Sequence, residues 1–244
     1  MDIHLSFGDF VLTPTMTNSL LVVAILTLFF ISCSFIIKKA DPTVSSTGLM
    51  GVLTFIYSAL HTFTHDSIGE KKGQKFVPFV VTVASYLAVA NLLGLVGLTP
   101  PTTDINITVA LTIATLSYIM FNGICAKGLR RYLKDTFVGD VPKPMLILFI
   151  PINVVGEGSK IISLSFRLFG NIVSGTLLVG LLTQLLAWLF GWLPPLGGLL
   201  GGALNLSLLP FLNAYFDIFA GLMQTFIFCT LTTMWVKAAV ESDA

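Results

Sequence analysis

Charged side chains are scarce in this sequence. Of its 244 residues, 10% are charged and 55% are hydrophobic, whereas an ordinary soluble domain carries about 25% charged residues. A chain with this balance has no water-soluble arrangement for its apolar side chains, so the composition predicts an integral membrane protein surrounded by lipid. The net charge of +1 and the lack of basic runs with interleaved aromatics give no indication of a nucleic-acid partner.

Cysteine pairs, metal-ligand clusters and nucleotide-binding loops are also missing. Cys33, Cys125 and Cys229 lie far apart in apolar runs, which excludes a plausible disulfide framework. His61 and His65 are one helical turn apart, but no third ligand accompanies them, and we interpret them as interfacial histidines. No GxxxxGK[ST] loop occurs. The sequence therefore predicts no catalytic residue, no metal site and no cofactor.

Basic residues are absent before the first apolar run, although a secretory signal begins with a positively charged region. We therefore expect the first apolar run to remain in the protein as a membrane span. Three charge-free runs, Phe10–Ile37, Phe76–Leu98 and Ile107–Ala126, each hold enough residues to cross the membrane, since about 20 residues at 1.5 Å rise span a hydrocarbon core of about 30 Å. Long unbroken apolar runs indicate helices rather than a barrel.

The C-terminal apolar region is longer and contains a break. Residues 192–202 are rich in Gly and Pro and split the region into a hairpin. Its first arm, about Met145 to Phe190, would be roughly 65–70 Å long as a helix and must tilt, bend or begin outside the membrane. The predicted fold is an all-α integral membrane protein with five membrane-embedded helices. A further amphipathic helix over Thr43–His65 is expected on the cytoplasmic surface.

We expect one membrane domain covering residues 1–244. Its parts are the first span with the surface helix (1–75), the second and third spans (76–143) and the hairpin (144–244). Lys and Arg occur in alternate connections, around residues 38–75 and 127–143, and are absent from the N-terminal tail, residues 99–106 and residues 191–206. The positive-inside rule then places the N-terminus outside and the C-terminus in the cytoplasm.

A polar stripe runs through the hairpin. Arg167 lies in an apolar background, where a charge at mid-helix costs about 2.5–3.5 kcal/mol and the guanidinium does not lose its proton. Spacings of three and four residues put it on one helix face with other polar side chains; these are Lys160, Ser163, Asn171 and Ser174. The second arm contributes Asn213, Asp217 and Gln224. An ion pathway explains both charges, whereas snorkelling of Arg167 or a purely structural polar contact are the alternatives.

At these residues the sequence resembles a known family. The run Ser163-Leu-Ser-Phe-Arg-Leu-Phe-Gly-Asn171, followed by Gln224 within Leu-Met-Gln-Thr-Phe-Ile-Phe, closely resembles the a subunit of F-type ATP synthases. Asn91-Leu-Leu-Gly-Leu and Thr103-Asp-Ile-Asn-Ile-Thr108 are also similar to that family, and the resemblance covers essentially the whole chain.

The resemblance implies a stator subunit that passes ions to the carboxylates of a rotating c-ring. Arg167 would face those carboxylates, with Asn171 and Gln224 as polar companions and Asp217 in the outer access channel. Thr176 stands where many members carry a titratable group, which leaves the relay role to Asp217. The further candidates for the two half-channels are Asn213, Ser174, Glu157, Ser159 and Lys160. The implied partners are the c-ring, the peripheral-stalk b subunits and the remaining ATP synthase subunits, in a bacterial plasma membrane.

The sequence alone leaves other functions open. A stand-alone secondary transporter would use Arg167 to hold an anionic substrate, but inverted repeats are expected of that class and the charged motif occurs only in the second half. A structural membrane subunit would pair Arg167 with Asp217 for assembly. The transported ion would be sodium rather than the proton if the c-ring, which this sequence does not contain, supplies sodium ligands. An organelle-encoded copy of the same subunit is a further alternative.

Overall fold

The computed structural model describes residues 6–7, 10–11, 13–39, 49–69, 73–138, 142, 145–191, 202, 207–208 and 210–240. Within these ranges the chain is helical apart from short connections and one two-residue antiparallel pairing, Ser6–Phe7 with Phe10–Val11. The bounds of the α-helices are α1 Pro14–Lys39, α2 Leu49–Ile68, α3 Val77–Leu92, α4 Ile105–Lys127, α5 Leu129–Leu133, α6 Leu146–Gly191 and α7 Gly221–Val240.

Five helical segments of the described residues are long and apolar enough to cross a membrane: Pro14–Phe35, Val77–Val96, Ile105–Lys127, Leu146–Phe190 and Pro210–Val240. They match the spans expected from the sequence and confirm the predicted all-α membrane class. The first arm of the hairpin, α6, is a helix of 46 residues, which corresponds to a length of roughly 70 Å. The turn expected at 192–202 lies outside the described residues except for Gly202.

Two helix ends differ by a few residues from the sequence prediction, and each has a local cause. The helix expected to end at His65 continues to Ile68 and stops before Gly69, whose φ of +99° favours glycine. The third span starts at Ile105 rather than residue 107 because Asp104 caps it. The Asp104 Oδ1 atom accepts a hydrogen bond of 2.9 Å from the Asn106 backbone N–H. The membrane-surface position expected for α2 stays a prediction.

The residues group into two compact units. The first takes in Met1–Val23, Leu87–Thr108 and Phe166–Thr225, and the second takes in Ala24–Tyr86, Val109–Ser165 and Phe226–Ala244. A unit boundary falls within each of α1, α3, α4, α6 and α7. The same helices therefore contribute to both units, and the single domain over residues 1–244 stays a prediction.

Polar side chains join separate elements of the first unit. The buried Asn18 side chain donates a hydrogen bond of 2.9 Å from Nδ2 to the Thr99 carbonyl. The Thr15 hydroxyl donates one of 2.9 Å to Asp104 Oδ2. Both bonds link the start of α1 to the connection between α3 and α4. Hydrogen bonds of this kind hold membrane helices together because helix association in lipid gains little from burial of apolar surface.

The second unit is held by apolar contacts. One buried cluster packs residues of α4 against the end of α7; its buried members are Ile68, Phe76, Ile119, Tyr132, Val236, Ala239 and Val240. The Phe79 and Tyr118 rings stack beside it with their centroids 4.0 Å apart. Val80, Ala84 and Cys229 form a further buried cluster. These contacts fix the frame around the larger of the two cavities described below.

Candidate functional site

Two side-chain amides connect α6 and α7 in the first unit. The Asn171 side-chain NH₂ donates a hydrogen bond of 2.7 Å to Gln224 Oε1. Gln224 is 1% exposed, and its Nε2 atom has no hydrogen-bond partner within the described part of the chain. A buried amide donor without a partner is costly. The pair therefore leaves the Gln224 side-chain NH₂ able to donate a hydrogen bond to a group outside this chain. Such a buried donor is more typical of a functional site than of simple helix packing.

Arg167 lies on α6 one helical turn before Asn171, and residues four apart share a helix face. Its side chain is half-buried, and the neighbours Leu164 and Leu168 are 1% and 0% exposed. Its guanidinium is a cation that presents five N–H donors and no acceptor. Position 167 therefore carries a permanent positive charge in a helix that is apolar enough to span the membrane.

Asp217 lies in a π-helical turn, Phe216–Ala220, directly before α7. Such turns are rare and are frequent at functional sites. A 3₁₀ helix, Leu93–Val96, continues α3 next to this carboxylate. A Cβ atom placed on Gly94 would lie 2.6 Å from Asp217 Oδ2. The absence of a side chain at position 94 thus makes room for the carboxylate.

Asn91 fixes the start of α7, where the π turn ends. Its side chain is 2% exposed, donates from Nδ2 to the Gly221 carbonyl at 3.2 Å and accepts at Oδ1 from the Thr102 hydroxyl at 2.8 Å. A Cβ atom on Gly221 would lie 2.9 Å from the Asn91 Cβ, so glycine is required for this approach of α3 and α7. Asn91 connects α3, the Pro101–Thr103 turn and α7 at one point.

A cavity of about 30 Å³ lies among these residues. A water molecule needs about 10–15 Å³ measured in this way and several polar partners, so the space is large enough for water. The lining residues are Asn91, Asn171, Ile172, Gly175, Thr176, Asn213, Phe216, Asp217, Ala220 and Gly221. We call this space the Asp217 cavity. The structure thus brings Asn171, Thr176, Asn213 and Asp217 together at one cavity.

The hydroxyl groups of Ser174 and Thr176 form hydrogen bonds with the backbone of their own helix. The Ser174 side chain is exposed and its hydroxyl donates to the Asn171 carbonyl at 3.0 Å. The Thr176 hydroxyl is within 3.2 Å of the Ile172 carbonyl and 2.9 Å of the Val173 carbonyl. Both hydroxyls therefore bond within α6. Ser174 is not among the residues that line the Asp217 cavity.

The second unit encloses a larger cavity of about 450 Å³. Glu157 and Lys160 line it and form an ion pair with each other. The Lys160 Nζ atom also lies 5.7 Å from the centre of the Trp235 ring, within range of a cation–π interaction. The charged and polar residues of its lining are Ser117, Lys127, Tyr132, Asp135, Thr136, Glu157, Lys160 and Trp235. We call this space the Glu157 cavity.

Ser159 was grouped with Glu157 and Lys160 from the sequence, and the structure separates it from them. Its side chain is exposed, and its hydroxyl donates to the Gly156 carbonyl at 2.8 Å. It is not among the lining residues of the Glu157 cavity. Within the described residues, no group of three or more His, Cys, Asp or Glu side chains is placed to hold a metal ion.

Several residues of both cavities were missed as site residues from the sequence. Asn91 and Gly94 stood out only as part of a family-like run, and their spacing does not reveal that Asn91 meets Gly221 or that Gly94 meets Asp217. Tyr132 and Asp135 lie in a short charged connection that gave no signal beyond its role in membrane orientation.

Comparison with known proteins gives the family. The sequence profile described as ATP synthase A chain matches residues 16–237. This chain belongs to the ATP synthase A chain family. The resemblance read from the hairpin motif is thereby confirmed, and the match includes all but two or three terminal residues of the membrane spans found in the described residues.

Individual relatives agree with the profile. The chain is similar to ATP synthase subunit a of Mycoplasma pneumoniae, with 31% identity over 88% of this chain and 75% of the relative. It is similar to subunit a of a Nitratiruptor species at 35% identity over 80% of this chain and 77% of the relative. Subunit a of Helicobacter hepaticus is 30% identical over 81% and 78%. As an ATP synthase A chain, the protein is a multi-pass, non-catalytic stator subunit of that complex.

Proposed function

We propose that this subunit passes protons to and from the carboxylates of a rotating c-ring through two aqueous half-channels that do not join. The observation that carries this proposal is the Asp217 cavity. It combines a carboxylate, water-sized space and the Asn171 side chain within one helical turn of the permanent charge at Arg167. Structural hydrogen bonding explains the amides, but it does not explain a carboxylate beside a cavity in a membrane-spanning helix.

The Asp217 cavity would be the outer half-channel. Residues 97–104 connect α3 to α4, and Thr102 among them donates a hydrogen bond to Asn91 in the cavity wall. These residues contain no Lys or Arg, so the positive-inside rule favours an outside position for them. A proton from outside water would reach the Asp217 carboxylate and pass along Asn171 and Gln224 to a rotor carboxylate. Asn213 and Thr176 complete the polar wall on the outer side. The N-terminus would lie outside and the C-terminus in the cytoplasm.

Arg167 would act on the rotor carboxylate itself. A carboxylate that has taken up a proton is neutral and crosses lipid at tolerable cost, whereas its ionised form does not. When the rotor site comes opposite the guanidinium, the fixed positive charge lowers the pKa of the rotor carboxylate and releases the proton. The same charge repels protons from a direct route between the half-channels, so transport requires rotation.

The Glu157 cavity would be the inner half-channel. Lys127 at the end of α4 lines it, and so do Tyr132 and Asp135 of the connection to α6. That connection also contains Arg130, Arg131 and Lys134. Under the positive-inside rule, this density of basic residues supports a cytoplasmic position for the connection. Glu157 and Lys160 would provide the polar surface along which the released proton leaves.

The remaining partners follow from this role. The peripheral-stalk b subunits would hold the chain against the rotor, and the other ATP synthase subunits would carry the nucleotide chemistry. Each elementary charge that crosses the membrane supplies about 2.3 kcal/mol per 100 mV, and that energy would drive rotation. The complex would sit in the plasma membrane of a bacterium.

The test is ATP-driven proton uptake by inverted membrane vesicles that hold the assembled complex. Asp217→Asn keeps the shape and removes the titratable group, and we expect uptake to fall at least about tenfold, since a positioned acid or base contributes about 10²–10⁴-fold to proton transfer. Asp66→Asn is the matched control, because the Asp66 side chain is 73% exposed. Normal proton uptake by Asp217→Asn would contradict the assignment of the Asp217 cavity as the outer half-channel. Dependence of transport on added sodium would assign the ion as sodium.

A further inference from the structure

One wall of the Glu157 cavity has no role in the proposed function. It is formed by the connection after α4, which consists of α5, Leu129–Leu133, and a π-helical turn, Lys134–Val138. Tyr132, Asp135 and Thr136 of this connection line the same cavity as Glu157 and Lys160. The wall therefore places a phenol and a second carboxylate at the space through which the proton would leave.

The Tyr132 ring is held in one place by packing. The residue is 8% exposed and belongs to the buried cluster that contains Ile119 and Val236. A Cβ atom on Gly123 would lie 2.5 Å from Tyr132 Cε2, so the ring occupies the space left by the missing side chain. Because the ring is fixed, the position of its hydroxyl at the cavity wall is fixed as well.

The hydroxyl of Tyr132 is a neutral donor and acceptor at physiological pH. Burial raises the pKa of Tyr132 above its ordinary value, a hydrogen bond with the Thr136 side chain lowers it, and the negative charge of Glu157 raises it. The net direction is upward from about 10, so the phenol stays protonated around neutral pH. A protonated hydroxyl both donates and accepts hydrogen bonds.

The turn that carries Asp135 is tied to its surroundings. The Asn153 side-chain NH₂ of α6 donates a hydrogen bond of 3.0 Å to the Phe137 carbonyl. The Lys127 Nζ atom lies 3.4 Å from Asp135 Oδ2 and 3.4 Å from the Ala238 carbonyl. Lys127 is nearly buried, whereas the Asp135 side chain is 41% exposed. Asp135 is thus a carboxylate that is fixed in the cavity wall and is also exposed to solvent.

We propose that the Tyr132 hydroxyl relays protons between Glu157 and the solvent-exposed Asp135, so that the connection after α4 forms the mouth of the inner half-channel. This proposal rests on the Glu157 cavity being that half-channel. In each transfer, a proton arrives on the phenol oxygen while the phenol releases its own proton to the next acceptor, directly or through water in the cavity. The phenol ends neutral and one proton has moved. When ATP drives the rotor, the reverse sequence carries protons from the cytoplasm to the rotor carboxylate.

Tyr132→Phe in the complete ATP synthase tests the relay, because it removes the hydroxyl and keeps the ring in its packed position. We expect ATP-driven proton uptake and coupled ATP hydrolysis to fall together by about threefold to tenfold. The effect should be smaller than the 10²–10⁴-fold loss typical of removing an acid or base because water in the cavity replaces the hydroxyl in part. The solvent isotope effect on uptake should rise as this transfer becomes limiting. Tyr118→Phe is the control, since Tyr118 does not line the cavity.

Unchanged rates and an unchanged isotope effect in Tyr132→Phe would overturn the relay. If that variant does not assemble, Asp135→Asn tests the other end of the path, and normal uptake by it would likewise overturn the proposal. Glu157→Gln and Asp217→Asn separate this outcome from failure of the proposed function. If both of those variants pump normally, the half-channel assignment itself is wrong. If they are impaired while Tyr132→Phe is normal, the half-channels stand and the relay alone fails.

Discussion

The carboxylate of Asp217 lies in the space that a side chain at Gly94 would fill. A Cβ atom on Gly94 would stand 2.6 Å from Oδ2, 2.9 Å from Cγ and 3.1 Å from Oδ1 of Asp217. The contact joins the 3₁₀ turn after α3 to the π turn before α7. The position of the carboxylate in the first unit therefore depends on the size of residue 94.

The Gly94→Ala variant tests that dependence. The added methyl group cannot coexist with the carboxylate in its present position, so Asp217 must move, and proton uptake should fall several-fold while the complex still assembles. Gly180→Ala is the matched control, since a Cβ there meets nothing within 4 Å and the residue lies in α6. In a helix, Gly to Ala is itself favourable by about 1 kcal/mol. Equal uptake by the two variants would show that Asp217 needs no fixed position.

The Asn171–Gln224 hydrogen bond should be measurable as a coupling energy. Thermal unfolding of the complex with Asn171→Ala, Gln224→Ala and both changes should give a coupling of about 0.6–2 kcal/mol, the range for hydrogen bonds between membrane helices. Ser174→Ala is the control partner for Gln224, because its hydroxyl bonds only to the Asn171 carbonyl in the described structure. Coupling of Gln224 to position 174 as strong as to position 171 would contradict the observed pairing.

Asn91 should contribute to stability through two buried hydrogen bonds that join α3 to α7 and to the Pro101–Thr103 turn. Asn91→Ala removes the bonds to the Gly221 carbonyl and from the Thr102 hydroxyl, and leaving such buried groups without a partner costs about 1–3 kcal/mol each. We expect a clear loss of thermal stability. Asn122→Ala is the control, because Asn122 donates to the Tyr118 carbonyl of its own helix. An equal effect of the two substitutions would assign Asn91 no special role.

The sequence predicted the spans and the polar face of the hairpin but not the contacts across helices. Apolar length alone defines a spanning helix, so α1, α3, α4 and the hairpin arms were recognisable. Helical spacing likewise grouped Arg167 with Asn171. The meeting of Asn91 with Gly221, by contrast, joins residues 130 positions apart and depends on how closely α3 and α7 pack.

The burial of side chains in the short elements could not be predicted from the sequence either. Nothing in the run around Tyr132 distinguishes a phenol at a cavity wall from a surface tyrosine, because its burial comes from α4 and α7 side chains that are distant in sequence. Ser159 shows that neighbours in sequence need not share a cavity. It is next to Lys160 in sequence, yet consecutive residues on a helix point in different directions, and its hydroxyl bonds back to the Gly156 carbonyl.

Gly123→Ala should destabilise the complex by displacing the Tyr132 ring. The new Cβ would lie 2.5 Å from Tyr132 Cε2 and 3.2 Å from the Ala239 Cβ, and overpacking of a filled core costs about 1–3 kcal/mol. We expect a lower unfolding temperature together with slower proton uptake. Gly158→Ala, whose Cβ would meet nothing within 4 Å, is the control. Wild-type stability and uptake in Gly123→Ala would mean that the ring position is not fixed by packing.

The charge at Arg167 is the centre of the proposed mechanism, and one comparison tests it most directly. ATP-driven proton uptake is measured in inverted vesicles with assembled complexes that carry Arg167→Ala or, as the control, Arg130→Ala, whose side chain is exposed in α5. The mechanism predicts that Arg167→Ala abolishes uptake although the complex assembles, while Arg130→Ala pumps at the parent rate. Normal coupled uptake by Arg167→Ala would contradict the mechanism and reduce the arginine to a structural role.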